Sequence, residues 1–302
     1  MAKPLADSCA KHARYTVHRV ETTTSTQDAV RALTDAAHLT TVVADRQTAG
    51  RGRLGRIWES PARQSLLAST FLTLPDTPLM RDRIGFLTLI SAAAMRAALA
   101  KLTGFSIEVK FPNDLVISTG GAPGKIAGVL GEFLPEHTSE RGELCAVVGV
   151  GVNIYQQQGV LPAGGTSLAL VTNASTENTM LAAAEAQSAP QSVIDALLDC
   201  YLTELDERVS AFATAGNRAP VIAEINEHLY GKGAEMTVAG HTGILTGLTP
   251  EADLLLEGET PARISPGDVA MFADDDTHPA APAAKAAHVL TQATTNKKDD
   301  QP

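Results

Sequence analysis

The chain has 302 residues, a formal net charge of −10, 44% hydrophobic residues and 19% charged residues. This composition is ordinary for a soluble globular protein, and the length suffices for one large domain and a small one. The acidic balance argues against a general polyanion-binding surface, so no nucleic-acid partner is expected, and three scattered cysteines exclude a disulfide framework or a zinc site.

The ends of the chain carry no signal for export or membrane insertion. No apolar run approaches the roughly 20 residues of a spanning helix, and the first residues lack the apolar core of a signal peptide. We therefore expect no membrane partner and a cytoplasmic location. Residues 1–14 are predicted to be a disordered lead, and residues 274–302, rich in Ala, Asp, Thr and Pro, a disordered tail.

The first predicted elements are a strand over residues 15–20 and a helix that ends near Leu33. Ser25 or Thr26 is placed to cap that helix, and hydroxyls at a helix start are most often only caps. A buried strand over residues 39–47 follows. Its last residue, Gln47, stands where side chains commonly meet ligands.

Residues 45–61 hold the most unusual pattern in the chain, three glycines interleaved with three arginines. They are Gly50, Arg51, Gly52, Arg53, Gly55 and Arg56. Glycine favours a mobile loop, and arginine offers a fork of donors that matches a carboxylate or phosphate. The pattern favours a loop that closes over an anionic ligand; a nucleic-acid-coating segment and a solvated loop are the alternatives.

A strand over residues 65–74 and an Ala- and Leu-rich core helix over residues 84–102 come next. Residues 106–118 are predicted to form a strand that Pro112 interrupts, with a bulge or break at 111–114 that re-aims three polar side chains. Those side chains are Lys110, Asn113 and Asp114. A glycine-rich turn then leads into a strand over residues 125–133. Lys125 opens it, and a lysine there is either solvated or faces Asp114 across the hairpin.

Residues 143–154 are nearly continuous apolar and predict a central strand. Gly149 and Gly151 share one face and leave it bare, either for close packing against a helix or for a flat ligand ring, with Asn153 as a polar anchor on the same face.

The rest of the chain predicts two helices and then a small β domain. The helices cover residues 190–215 and 218–229. Short strand-like pieces alternate with Gly and Pro turns and suggest a small β-barrel. The pieces cover residues 235–240, 243–249, 252–259 and 267–272. We therefore divide the chain into a large domain over 15–230 and a small one over 231–273.

Five of these stretches resemble motifs of the biotin–protein ligase family. In chain order they are STQ (25–27), TAGRGRLGRIW (48–58), KFPNDL (110–115), GKIAGVLGE (124–132) and GVGVNI (149–154). The resemblance covers roughly residues 15–170. Two residues depart from the family's usual STN and KWPNDL: Gln27 and Phe111. The family's N-terminal DNA-binding domain, found in some members, is expected to be absent, which implies a ligase without repressor duty.

The resemblance implies an α+β fold: a mixed, largely antiparallel sheet flanked by helices, class II synthetase-like, with a small C-terminal SH3-like β-barrel. It implies a two-step reaction with ATP and Mg²⁺ as cofactors and biotin as substrate. Biotin would first become biotinyl-5′-AMP with release of pyrophosphate. It would then pass to a lysine of the biotin carboxyl carrier domain of an acyl-CoA carboxylase or pyruvate carboxylase.

The same resemblance implies roles for individual residues. The catalytic residues would be Lys125, Arg51 and Arg53. Biotin would be bound by Ser25, Thr26, Gln27, Gln47, Gly50, Arg51, Gly52, Arg53 and Lys125. ATP or the adenylate would be bound by Arg53, Arg56, Trp58, Lys110, Asn113, Asp114 and Asn153. Asp114 is also the candidate metal ligand. Two alternatives stay open: a lipoate-type ligase on the same fold, and a nucleic-acid-binding protein that uses the arginine loop.

Overall fold

The computed structural model describes residues 15–118, 123–174 and 190–271. The predicted disordered lead at 1–14, the tail at 274–302 and most of the glycine-rich turn at 119–124 lie outside the described residues. The division into a domain over 15–230 and another over 231–273 stays a prediction.

A seven-stranded sheet forms the centre of the molecule. Its strands are β1 (Val17–Thr23), β2 (Thr41–Gln47), β3 (Ser65–Pro75), β4 (Ile107–Lys110), β5 (Asp114–Ile117), β6 (Gly124–Phe133) and β7 (Glu143–Asn153). They lie in the order β1-β2-β3-β7-β6-β5-β4. β1 runs parallel to β2, and the other neighbouring pairs are antiparallel. The prediction of a mixed, largely antiparallel sheet with β7 at its centre is confirmed.

Helices flank this sheet. They are α1 (Thr26–Arg31), α2 (Pro78–Arg83), α3 (Leu87–Thr103), α4 (Pro135–Arg141), α5 (Leu168–Ala174), α6 (Pro190–Ala215) and α7 (Ala219–Glu227). α3 is buried around most of its circumference because Ala and Leu let it pack closely against the sheet and α6. The stretch Pro78–Thr103 is apolar and long enough to span a membrane, but 61% of its most apolar window is buried inside the fold, as in a core helix.

Of the bulge or break predicted at residues 111–114, the structure shows the break. The chain reverses direction there, so β4 and β5 are two antiparallel strands with Lys110 opposite Asp114, instead of one strand over residues 106–118. The Phe111–Pro112 bond in this turn is cis. The bulge lies in the next strand: Val116 pairs with Lys125 and Leu115 with Ala127, so β6 holds one extra residue there.

A second, antiparallel sheet follows, with strands β8 (Glu235–Val238), β9 (His241–Leu248), β10 (Leu254–Glu257) and β11 (Ala262–Ile264) in the order β11-β10-β9-β8. This meander is compatible with the expected SH3-like domain.

The last strand-like piece, predicted over residues 267–272, is not a strand over its described residues 267–271; residue 272 lies outside them. The chain there forms the helix α8 (Pro266–Met271). Ser265 Oγ accepts a hydrogen bond from Asp268 N at 3.2 Å, and an Asp268 carboxylate oxygen accepts one from Ser265 N at 2.9 Å. This reciprocal capping box, with Pro266 at the first helical position, stabilises the helix start and outweighs the apolar alternation that suggested a strand.

Candidate active site

A cavity of about 730 Å³ lies between the large sheet, the arginine loop and the second sheet. This volume suits a ligand the size of a small cofactor or a nucleotide. The predicted site residues that line it are Ser25, Thr26, Gln27, Gln47, Arg51, Gly52, Arg53, Arg56, Trp58, Lys110, Asn113, Asp114, Lys125 and Asn153. Gly50 lies at the base of the loop instead. Sequence motifs distant along the chain therefore meet at one place.

One end of the cavity is built from hydroxyl and amide groups. The Gln47 amide oxygen accepts hydrogen bonds from Thr26 N at 2.7 Å and Thr26 Oγ1 at 3.1 Å. Ser25 stands at the N-cap position of α1, but its side chain makes no cap hydrogen bond. The cap interpretation is therefore wrong for the Ser25 side chain, because Gln47 satisfies the helix start.

Sequence reasoning missed Ser69, a residue of this same end. Ser69 Oγ lies 2.7 Å from Thr26 Oγ1, is fully buried and lines the cavity. Gln27 completes the wall by donating to the carbonyl of Leu130 at 3.0 Å. The signal for Ser69 is that Ser65 and Ser69, four apart, put hydroxyls on the same face of the strand.

The arginine loop is folded as a short hairpin over the cavity. Arg51 pairs with Ile57, Gly52 N donates to Arg56 O at 2.8 Å, and Trp58 N donates to Gly50 O at 2.9 Å. A Cβ on Gly50 would lie 2.4 Å from the Trp58 carbonyl oxygen, so only glycine fits at the base of the hairpin. That the loop opens and closes stays a prediction.

Two arginines of the hairpin point to different surroundings. Arg51 forms ion pairs with Asp28 at 2.6 Å and Glu132 at 3.4 Å. Arg53 instead donates to the Asn113 amide oxygen at 2.9 Å and to the Pro266 carbonyl at 3.0 Å.

Burial lowers the pKa of the Arg53 guanidinium and the nearby Asp114 carboxylate opposes that shift, but the group stays charged at working pH. Arg53 thus joins the loop to the β4–β5 hairpin and to the start of α8.

Lys125 lies where the bulge in β6 turns its side chain into the cavity. Its Nζ atom is 2.7 Å from Asp114 Oδ1 and 5.6 Å from the centre of the Trp58 ring. The prediction that Lys125 faces Asp114 across the hairpin is confirmed. A compact cation held by one carboxylate and one aromatic face can bind an additional anion inside the cavity.

The bare glycine face of β7 holds a ring of the protein itself. A Cβ on Gly151 would lie 2.5 Å from Trp58 Cε2, and one on Gly128 would lie 3.1 Å from Trp58 Cζ3. The expectations of a packed helix or a ligand ring on this face are therefore corrected at Gly151, because the Trp58 indole occupies it. Its Nε1 atom is buried without a hydrogen-bond partner among the described residues, so it can donate to a ligand oxygen.

Residues 17–153, which supply most of this cavity, match the model of the Biotin/lipoate A/B protein ligase family. These residues form a domain of that family. The ligase domain thus contains four of the five sequence motifs in full and all but the last residue of the fifth, and the resemblance found from them is confirmed.

Named relatives agree with the family. Over 123 residues the chain is 36% identical to the bifunctional ligase/repressor BirA of Bacillus subtilis, and the alignment covers 41% of this chain and 35% of that protein. Over 130 residues it is 33% identical to the biotin--[acetyl-CoA-carboxylase] ligase of Mycobacterium tuberculosis, and this alignment covers 42% of this chain and 44% of that protein. The matched stretch spans less than half the length of each of these curated relatives.

Solved structures resemble the chain over a longer stretch. The biotin protein ligase of Aquifex aeolicus in complex with biotin and ATP aligns with a TM-score of 0.62 and 25% identity, over 82% of this chain and 95% of that one. The aligned length exceeds that of the ligase domain, which agrees with a shared fold in the C-terminal sheet.

Two residues of the ligase domain differ in surroundings from what their motifs suggest. Asn153 is buried, and its amide donates to Thr166 O at 3.0 Å and accepts from Gln156 at 2.9 Å. It therefore also holds the loop that follows β7. Phe111, in place of the motif's tryptophan, packs against the main core and lines the cavity, so an aromatic ring is retained there.

Proposed function

We propose that this chain is an ATP-dependent biotin–protein ligase, which makes biotinyl-5′-AMP and pyrophosphate and then transfers biotin to a lysine of a biotin carboxyl carrier domain. The observation that supports this most strongly is one cavity that joins a hydroxyl–amide end to a cationic end. The match of residues 17–153 to the Biotin/lipoate A/B protein ligase family, and the likeness to a ligase bound to biotin and ATP, support the same proposal.

In this proposal the ureido ring of biotin lies at the hydroxyl end. Its N–H and C=O groups cost about 1–3 kcal/mol each if they are buried unpaired. Ser25, Thr26 and Gln47 supply hydroxyl and amide groups at that end, and the buried Ser69 hydroxyl holds Thr26 in place. The carboxylate of biotin then extends towards Lys125.

The first half-reaction brings two anions together. A carboxylate oxygen of biotin bonds to the α-phosphorus of ATP, and the bond from that phosphorus to the pyrophosphate oxygen breaks. Lys125 and Arg53 stabilise the charge on the phosphate because they are cations held in a partly dehydrated site. The indole N–H of Trp58 is placed to donate to one of the same oxygens.

In the second half-reaction the amine of the acceptor lysine bonds to the acyl carbon. The bond from that carbon to the AMP oxygen breaks, AMP leaves with both electrons, and the new amide loses a proton. The mixed anhydride hydrolyses if water reaches it, which gives the arginine loop its role as a cover. We assign Asp114 to holding Lys125 rather than to acting as a general base.

Mg²⁺ would come with the nucleotide. Among the described residues, no group of three or more His, Cys, Asp or Glu side chains could hold a metal ion. Asp114, the carboxylate that pairs with Lys125, would supply one ligand. One carboxylate suits Mg²⁺, because this ion usually keeps several waters and takes its other ligands from phosphates. The ion would neutralise charge on those phosphates.

The acceptor is proposed from the reaction and from a relative. The Mycobacterium tuberculosis protein is named biotin--[acetyl-CoA-carboxylase] ligase. We propose a carrier domain of an acyl-CoA carboxylase or pyruvate carboxylase as the partner, in the cytoplasm.

Exchange of labelled pyrophosphate into ATP tests the proposal. Biotin, ATP and Mg²⁺ together are expected to support exchange, and omission of biotin is expected to abolish it. Exchange with lipoate alone would keep the family and overturn the substrate, since the family includes lipoate ligases. Absence of exchange with either acid would overturn the proposed function. Biotin transfer to a purified carrier domain, followed by mass spectrometry, then tests the second half-reaction.

A further inference from the structure

Two of the three arginines of the loop, Arg51 and Arg53, have different kinds of hydrogen-bond acceptor around them. Arg53 meets an amide and a carbonyl, whereas Arg51 is paired with the carboxylates of Asp28 and Glu132. Arginines of one loop are usually assumed to share one task. The structure separates the two.

Charge around Arg51 is already balanced within the protein. Arg31 also pairs with Glu132 at 2.9 Å and lies 3.7 Å from Glu136. Two guanidinium groups thus face three carboxylates, Asp28, Glu132 and Glu136. Arg51 therefore adds little positive potential to the cavity, because the nearest carboxylates offset it.

The position of these carboxylates shows what Arg51 joins. Asp28 lies in α1, directly after the hydroxyl-end residues 25–27, and Glu132 lies near the end of β6. Lys125 lies near the other end of the same strand, and its Cα is roughly 20 Å from that of Glu132 at about 3.3 Å per residue. The carboxylates that hold the head of Arg51 thus come from α1 and the end of β6, whereas Lys125 is paired with Asp114.

We propose that Asp28 and Glu132 are positioning residues that hold Arg51 as a strap. The strap fixes the hairpin at residues 50–58 over the hydroxyl end of the cavity, and Arg51 is not a ligand of a substrate anion. This inference rests on the proposed function for the identity of the substrate. The contacts that carry it do not depend on that identity.

Four variants test the strap: Arg51→Gln, Asp28→Asn, Glu132→Gln and the double variant Asp28→Asn/Arg51→Gln. Glu132→Gln leaves α1 untouched and so separates the strap from any effect of Asp28 on the helix start. Asp76→Asn is the matched control, because Asp76 pairs with Arg81 on the surface, away from the cavity.

The first measurement is the rate at which trypsin cuts the native protein after Arg53 and Arg56, which every variant retains. We expect Arg51→Gln and Asp28→Asn each to raise this rate by about three- to tenfold, Glu132→Gln by less, and the control not at all. The cleavage rate of the double variant should equal that of the more affected single variant, because both substitutions remove the same Arg51–Asp28 ion pair. Unchanged cleavage in Asp28→Asn, or effects that multiply, would overturn the strap.

The second measurement is the KM for biotin in pyrophosphate exchange. Asp28→Asn frees Arg51 from its closest partner. An anion-binding Arg51 would then lower or keep the KM, whereas a strap predicts a rise similar to that in Arg51→Gln. If the natural protein shows no biotin-dependent exchange, the proposed function fails, and the cleavage rates still decide whether the strap exists.

Discussion

The two ends of the cavity hold their polar groups by different means. At the hydroxyl end, the buried Thr26 bonds both to the buried Ser69 and to the half-buried Gln47. At the cationic end, Lys125 and Arg53 are held by Asp114, Asn113 and other groups that come from separate parts of the fold.

This difference follows from the chemistry of the groups. Neutral hydroxyls and amides can be buried when they satisfy each other, so a single rigid sheet suffices. Cations are costly to bury without partners. The partners of Lys125 and Arg53 at the cationic end come from the β4–β5 hairpin and the start of α8. We expect substitutions at the hydroxyl end to change biotin binding and stability, and those at the cationic end to change the chemical step and ATP binding.

The largest effect is expected from Lys125→Ala. Loss of a cation aimed at developing charge in an enclosed site typically costs about 100- to 1,000-fold in kcat. We expect biotin-dependent pyrophosphate exchange to fall by that factor, with a thermal unfolding midpoint close to that of the natural protein. Near-normal exchange would remove Lys125 from the chemistry. A large loss of stability would mean that the Lys125–Asp114 pair supports the fold instead.

Two glycines of β7 offer a matched comparison of the ends. Gly151→Ala places a Cβ 2.5 Å from Trp58 Cε2, whereas Gly149→Ala places one 3.1 Å from Ser69 Oγ and 3.2 Å from Gln27 Cγ. The first contact forces the Trp58 ring away, and misplacement of about 1 Å can cost on the order of 100-fold in rate. The second needs shifts of only a few tenths of an ångström.

We therefore expect Gly151→Ala to lower exchange by roughly 10- to 100-fold and to change the fluorescence of Trp58, the single tryptophan of the chain. Gly149→Ala should leave the fluorescence unchanged and act mainly on the KM for biotin. Equal fluorescence in both variants would show that Trp58 does not rest on Gly151 in solution.

Thr26→Val tests the hydroxyl end alone. It removes the hydroxyl that bonds Gln47 and Ser69 and leaves both partners short of a hydrogen bond, at about 1–3 kcal/mol. We expect a lower unfolding midpoint and a KM for biotin raised about tenfold, with the KM for ATP unchanged.

Thr41→Val is the control for Thr26→Val. Thr41 forms a similar buried hydroxyl pair with Thr70 at 3.0 Å but does not line the cavity. Thr41→Val should lower the unfolding midpoint without changing the KM for biotin. A changed KM for biotin in the control would mean that this end responds to general loosening of the sheet.

The same contrast explains what could be predicted from sequence. The long strands and the long helices around the large sheet follow from periodicity, and the motif residues from their resemblance to a family. The short helices α2, α4 and α5 were not predicted. Ser69 was missed because small hydroxyl residues are common in buried strands and this strand also holds Thr70 and Thr73, so nothing in the sequence marks Ser69 among them. The partners of Arg51 could not be predicted, because Asp28 and Glu132 approach it only once α1 and β6 are in place.

Register and capping account for the remaining errors. The bulge in β6 that turns Lys125 into the cavity depends on the register between β5 and β6, and the local sequence does not predict that register. The strand over residues 267–272 was predicted from the alternation of apolar residues. The Ser265–Asp268 capping pattern at the start of the same stretch indicates a helix instead. Start signals of helices deserve more weight than short alternations in such segments.

The smallest effect is expected where the cationic end meets the second sheet. Ser265→Ala removes half of the capping box at the start of α8, whose Pro266 carbonyl holds Arg53. A hydrogen bond of this kind contributes little on balance, so we expect the KM for ATP to rise by about threefold. Thr77→Ala removes a similar cap from the start of α2; Thr77 does not line the main cavity, so this variant should leave that KM unchanged.

The effect of pH distinguishes this cap from a titrating contact. Hydrogen bonds from Ser265 hold the pKa of Asp268 below its ordinary value of 3.8. A carboxylate with a lowered pKa contributes its stabilisation above the ordinary value and loses it only as the pH falls through the lower one. The ratio of the KM for ATP between Ser265→Ala and the natural protein should thus stay constant at neutral and alkaline pH. A ratio that changes near neutrality would show that a group other than Asp268 couples α8 to Arg53.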